Sequence, residues 1–113
     1  DEVARATTIV RYAPFARFSR HKHTGGEEFV VLEGTFSDEI SGDHGPMSYC
    51  RHGIDTEHEP WTGDQGALLF VKLRQMNDRT ETPITFVDTS TSDQWKSVDE
   101  KRERLDLFAS EKT

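Results

Sequence analysis

The chain has 113 residues, of which 33% are hydrophobic and 31% charged, with a formal net charge of −7. That length allows one domain with a modest core, and the acidic balance disfavours nucleic acid and anionic membrane surfaces as partners. The single cysteine, Cys50, excludes an intramolecular disulfide. The longest wholly apolar run, Ala67–Val71, is too short to cross a bilayer, and no signal-peptide pattern opens the chain. A reducing, cytoplasmic setting is the expectation.

Short β-rich runs separated by turn residues predict an all-β sandwich or barrel. Thr7–Tyr12 reads as the first strand, interrupted by Pro14. Phe29-Val30-Val31-Leu32 is a strand apolar on both faces. Glu33-Gly34 reads as a tight turn, with Thr35–Asp38 returning from it. Ser41–Pro46 is a loop by composition, and Met47–Cys50 resumes extended structure. Ala67–Leu73 is the longest strand candidate, with Ala67, Leu69, Val71 and Leu73 on one face. Ile84–Val87 is another strand. The tail from Asp93 to Lys112 fits strand or helix, because so short a pattern does not decide between them. With no interdomain linker, residues 1–113 are expected to form a single domain, with the motif core at about 8–76 and a C-terminal extension over 77–113.

His21 and His23 stand two residues apart in Arg20-His21-Lys22-His23-Thr24-Gly25-Gly26-Glu27. In a strand, residues i and i+2 point the same way, with Cα atoms roughly 6.5–7 Å apart. Two imidazoles so placed suit one divalent ion, each reaching to about 2.0–2.2 Å from it. Gly25-Gly26 permits a bend that lets Glu27 swing to the same centre. His58 lies beyond a loop-rich segment, and a strand pairing across a barrel can bring it to the first two.

These residues carry a resemblance. His21-x-His23-x3-Glu27-x6-Gly34 matches the first cupin motif, HxHx3Ex6G, at every fixed position of that core. The second motif is looser: its histidine is present as His58, but the proline-x-glycine element is not intact in Arg51–His58 and no asparagine follows. Val10–Pro14, Gly26-Glu27-Glu28, Val31–Gly34, Phe36–Glu39, His58–Trp61 and Val71–Gln75 resemble the ChrR-like cupin family. The resemblance implies a double-stranded β-helix, or jelly roll, with one divalent ion inside on His21, His23, Glu27 and His58. Phe15, where a glycine is usual, and His44–Met47, which replaces a tyrosine-containing turn, depart from the family.

Other polar residues are set aside. His44 is read as a solvated loop side chain, and His52 as at most a neighbour of the ligands. Cys50 is expected to be buried, Glu28 to point away from Glu27, and Trp61 and Trp95 to serve packing. Arg102 and Arg104 belong to a solvated charge run, while Tyr49 and Arg51 are candidates to point inward near the site.

Three functions fit: a metal-binding sensing or regulatory cupin, an Fe(II)-dependent dioxygenase, or a binding module with a structural metal. The dioxygenase reading is by similarity to acetylacetone-cleaving cupins, and its substrate would be a small neutral organic molecule such as a diketone. ChrR is a zinc-binding anti-sigma factor, but the chain has no room for the sigma-binding domain, so that activity is not carried over. Four protein ligands in a closed tetrahedron favour zinc; open positions favour Fe(II), Mn or Ni. A rim bearing Asp43, His44, Asp55 and Glu57 favours a neutral ligand over an anionic one. The two apolar faces of Phe29–Leu32 predict a homodimer.

Overall fold

The computed structural model describes residues 6–23, 25–73 and 84–107, without the side chains of Ala6, His23 and Ile84. No helix occurs among them, and no described helix is long and apolar enough to cross a membrane. The strands are β1 (Ala6–Tyr12), β2 (His21–His23), β3 (Glu27–Asp38), β4 (Gly42–His44), β5 (Ser48–His52), β6 (Thr56–His58), β7 (Trp61–Leu73), β8 (Ile84–Asp88), β9 (Lys96–Asp99) and β10 (Arg102–Arg104). The principal sheet runs β1-β7-β3-β5-β8, with β4 pairing the far half of β3. β2 pairs with β6 and β9 with β10 in two small antiparallel sheets.

Alternation places the core. On β7, Ala67, Leu69 and Val71 are buried while Phe70 between them is exposed. On β3, Phe29 and Val31 are buried, Val30 is half-buried and Leu32 is exposed. Register lays Phe29 between Val71 and Cys50, and Val31 beside Leu69. These residues and Phe36 form one cluster, with Val10, Tyr12 and Leu73 packed against it. Burying each large apolar side chain contributes about 1.5–3 kcal/mol. Phe36 links Tyr12 and Phe29 through ring contacts at 5.1 and 5.2 Å. Cys50 is buried, as expected.

Several expectations are corrected. Glu33-Gly34 is not a reversal: β3 continues through it to Asp38, with register shifts between Val31 and Glu33 and between Gly34 and Phe36. Gly34 has φ +75°, the left-handed conformation that lets a strand bulge without turning. The reversal comes after Asp38, whose Oδ1 accepts hydrogen bonds from the Ile40 and Ser41 backbone N–H groups at 3.0 and 2.7 Å. Ser41–Pro46 contains the strand β4, and His44 is buried there rather than solvated, because Ser41 Oγ meets its Nε2 at 2.9 Å and Phe86 covers its ring. The tail, which the sequence left open between strand and helix, holds the exposed strands β9 and β10 in its described part.

Gly34 also sits where backbones crowd: a Cβ there would lie 2.1 Å from the Gly66 carbonyl oxygen and 3.0 Å from Ala67 Cα. A side chain would therefore meet the β3–β7 seam as well as an unfavourable φ. Gly34→Ala is expected to lower stability by at least about 2 kcal/mol, read as a reduced urea midpoint. An unchanged midpoint would show that the seam relaxes around the methyl group.

Candidate metal centre

The site is assembled from two cross-strand pairs. On the small sheet, His21 stands opposite His58, Lys22 opposite Glu57 and His23 opposite Thr56. On the principal sheet, Glu27 stands opposite His52 where β3 begins and β5 ends. Directly opposed residues have Cβ atoms about 4.5–5.5 Å apart, so each pair presents two side chains to one place. The pairs meet face to face: His58 Nε2 lies 3.1 Å from His21 Nε2 and 3.9 Å from Glu27 Oε1. The rings of His52 and His58 are 4.7 Å apart.

Hydrogen bonding sets which nitrogen of each imidazole points inward. His21 Nδ1 is 2.8 Å from the Ser19 carbonyl oxygen, which can only accept, so Nδ1 carries the proton. His58 Nδ1 is 3.0 Å from Asp38 Oδ2, and it likewise donates. In neutral rings both Nε2 lone pairs then face each other across 3.1 Å, which is repulsive unless a shared proton or a metal ion lies between them. Ligands about 2.1 Å from one ion are separated by about 3.0 Å at right angles and about 3.4 Å at the tetrahedral angle. The observed approach fits two donors on one ion. Orientation of a ligating histidine by a carboxylate on its other nitrogen is what metal sites require.

The electrostatics follow from burial. Desolvation pushes the Glu27 carboxyl up to about 7, with His58 opposing and Asp38 adding to the rise. Desolvation, with the neighbouring His58, lowers the His52 imidazole to about 4, so it is neutral at physiological pH. For Asp38 burial acts to raise the pKa, but hydrogen bonds from His58 and Ser41 outweigh it and hold the carboxyl well below its ordinary range. A fixed anion thus backs His58.

Of the residues singled out in the sequence, His58 lies beside both His21 and Glu27, while His21 falls outside the group of mutually close donors. The backbone of His23 lies on β2, but its side chain lies outside the described residues. His52 was set aside, yet it is fully buried, and Glu27, His52 and His58 each offer a ligand atom within 4.8 Å of the others. This buried cluster could bind a metal ion. The missed signal was strand length: extending the strand through Cys50 by two residues puts His52 on the inward face with it. Asp38 was also missed as a partner of His58. Tyr49 and Arg51 do not join the cluster: they alternate with Cys50 and His52, and the Tyr49 hydroxyl donates to Glu28 Oε2 at 2.6 Å on the sheet's other face. Trp61 packs under the Arg17 guanidinium.

The raised Glu27 pKa fixes a sign. A carboxyl with a higher pKa folded than unfolded takes up a proton on folding, so it costs the apoprotein stability as pH rises from about 4.5 to about 7, and the loss persists above. The difference corresponds to on the order of 3 kcal/mol. Metal-free Glu27→Gln is therefore expected to be more stable than the parent at pH 8, by up to about 3 kcal/mol, with the gap closing near pH 4. Urea denaturation of the two apoproteins at each pH measures it.

A family model described as the ChrR Cupin-like domain matches residues 1–77, while no curated protein matches the chain. The match spans well over half of the sequence and includes every strand from β1 to β7. Its jelly-roll fold agrees with an all-strand chain whose small sheet meets the inward face of the large one at a His/Glu cluster. The chain belongs to the ChrR-like cupin family.

Proposed function

We propose that the protein is a metal-binding cupin holding one divalent ion per chain on His21, His23, Glu27 and His58, in a sensing, regulatory or ligand-binding role. The observation that carries this reading is the 3.1 Å approach of the His21 and His58 Nε2 atoms, each with its Nδ1 proton already donated, beside the buried Glu27. When bound, the ion supplies the positive charge that this donor set lacks. The chain's own residues orient the donors: Ser19 and Asp38 fix the two imidazoles, and burial excludes water from Glu27. Zinc suits a closed set of four ligands, whereas Fe(II), Mn or Ni suits an open one.

The proposal extends to the surroundings. Asp43, Asp55 and Glu57 give the rim negative charge, so an entering small molecule would be neutral. A reducing, cytoplasmic setting suits Cys50, whose thiol is pushed up to about 12 by burial and is therefore unreactive. We also propose a homodimer through the outward face of the principal sheet. There Ile9, Leu32 and Phe70 are exposed, and Val30, Tyr49 and Phe70 line an open pocket whose edge includes Leu107 of the C-terminal segment.

Metal content of protein purified without added metal is expected to be near one ion per chain, and the His21→Ala/His23→Ala double variant is expected to lose it. Unchanged metal in that variant would end the proposal. Loading the apoprotein anaerobically with Fe(II) and adding nitric oxide separates the roles. An iron–nitrosyl electron paramagnetic resonance signal would favour the dioxygenase alternative, and its absence would favour the regulatory one. Light scattering at micromolar concentration is expected to give twice the chain mass; a monomeric mass rejects the dimer.

A further inference from the structure

We infer that His52 is itself a donor to the ion, a ligand beyond the four that the cupin motifs supply. The inference deepens the proposed function and rests on it.

Three observations carry it. His52 is placed by register, directly across the β3–β5 ladder from Glu27, so the strand geometry that aims Glu27 inward aims His52 to the same side. It is 0% exposed, and neither of its ring nitrogens has a hydrogen-bond partner. Burying a polar group in that state costs about 1–3 kcal/mol, so a buried imidazole with both nitrogens unsatisfied calls for a ligand. Finally, its ligand atom falls within 4.8 Å of those of Glu27 and His58.

The competing partner is Asp38, whose Oδ2 lies 3.6 Å from His52 Nε2. That is too long for a hydrogen bond. Both Asp38 oxygens are also engaged: Oδ1 accepts from Ile40 N, Ser41 N and Ser41 Oγ, and Oδ2 accepts from His58 Nδ1. Asp38 therefore serves His58 and the turn after β3, and His52 is left facing Glu27 and His58. Phe29 packs against the His52 ring at 6.0 Å, closing off one side of it with hydrocarbon.

The consequence is chemical. A fifth side chain exceeds what a closed tetrahedron accommodates, so the centre would favour ions that accept five or six ligands.

Cadmium is the probe. Apoprotein with isotope-labelled histidine rings is loaded with a magnetic cadmium isotope, and metal–nitrogen scalar couplings are read by nuclear magnetic resonance. The expected result is a coupling at His52 as well as at His21 and His58. This measurement uses the unmodified chain and so does not depend on any variant folding. As a second measurement, His52→Ala is expected to bind cadmium at least about 100-fold more weakly, whereas His44→Ala, a buried histidine outside the cluster, binds it normally. Couplings at His21 and His58 without one at His52, or an unchanged affinity in His52→Ala, would overturn the inference and leave the proposed metal centre standing. Failure of the unmodified chain to bind cadmium at all would remove both.

Discussion

The hydrogen bond from His58 Nδ1 to Asp38 Oδ2, 3.0 Å long and almost wholly removed from water, is the contact on which the rest of the site depends. It joins β6, a strand of three residues with little pairing of its own, to the far end of β3. It ties the small sheet to the large one from within, while the Glu59 N–H to Glu39 Oε1 bond and the Arg20–Glu39 ion pair do so at the exposed side. The same carboxylate caps the reversal that follows β3 through Ile40 and Ser41. One side chain therefore shapes the turn, docks the strand and fixes the tautomer of a candidate ligand. Its low pKa matters for this, because only the ionised carboxylate accepts on every side at once.

Around that anchor, the cluster's titrating groups are driven toward neutrality. Burial raises Glu27 and lowers His52, so near pH 7 the chain holds a carboxyl ready to lose its proton and an imidazole already neutral, with one ring nitrogen free to donate its lone pair. A bound cation would reverse the balance by stabilising the Glu27 carboxylate and satisfying imidazole lone pairs, so stability given up at this cluster would be regained on binding.

The outer face of the sheet behaves differently. There, Ile9, Phe70, Val30, Tyr49 and Val87 line up through successive register pairs. Cross-strand pairing of this kind stiffens a sheet. Because β-strand side chains alternate, the row that faces outward is set by the same register that sends Phe29 and Val31 inward, and Leu107 borders the pocket on it.

What the sequence determined by itself was local. Alternation on Ala67–Leu73 fixed which residues enter the core, and the His-x-His spacing marked the short strand β2. The motif spacing singled out Glu27 and His58, and the all-β class followed from the same short runs. The bulge at Gly34 was misread as a turn because a left-handed glycine serves either purpose, and only the pairing with β7 distinguishes them. Extending the strand past Cys50 turns His52 inward, but only tertiary structure decided what it meets there: β5 pairs with β3 in the register that sets it across from Glu27. The role of Asp38 was hidden for the same reason, since its partner is 20 residues away. Strand periodicity is a property of neighbours in sequence, whereas register between strands is set by the whole packed sheet.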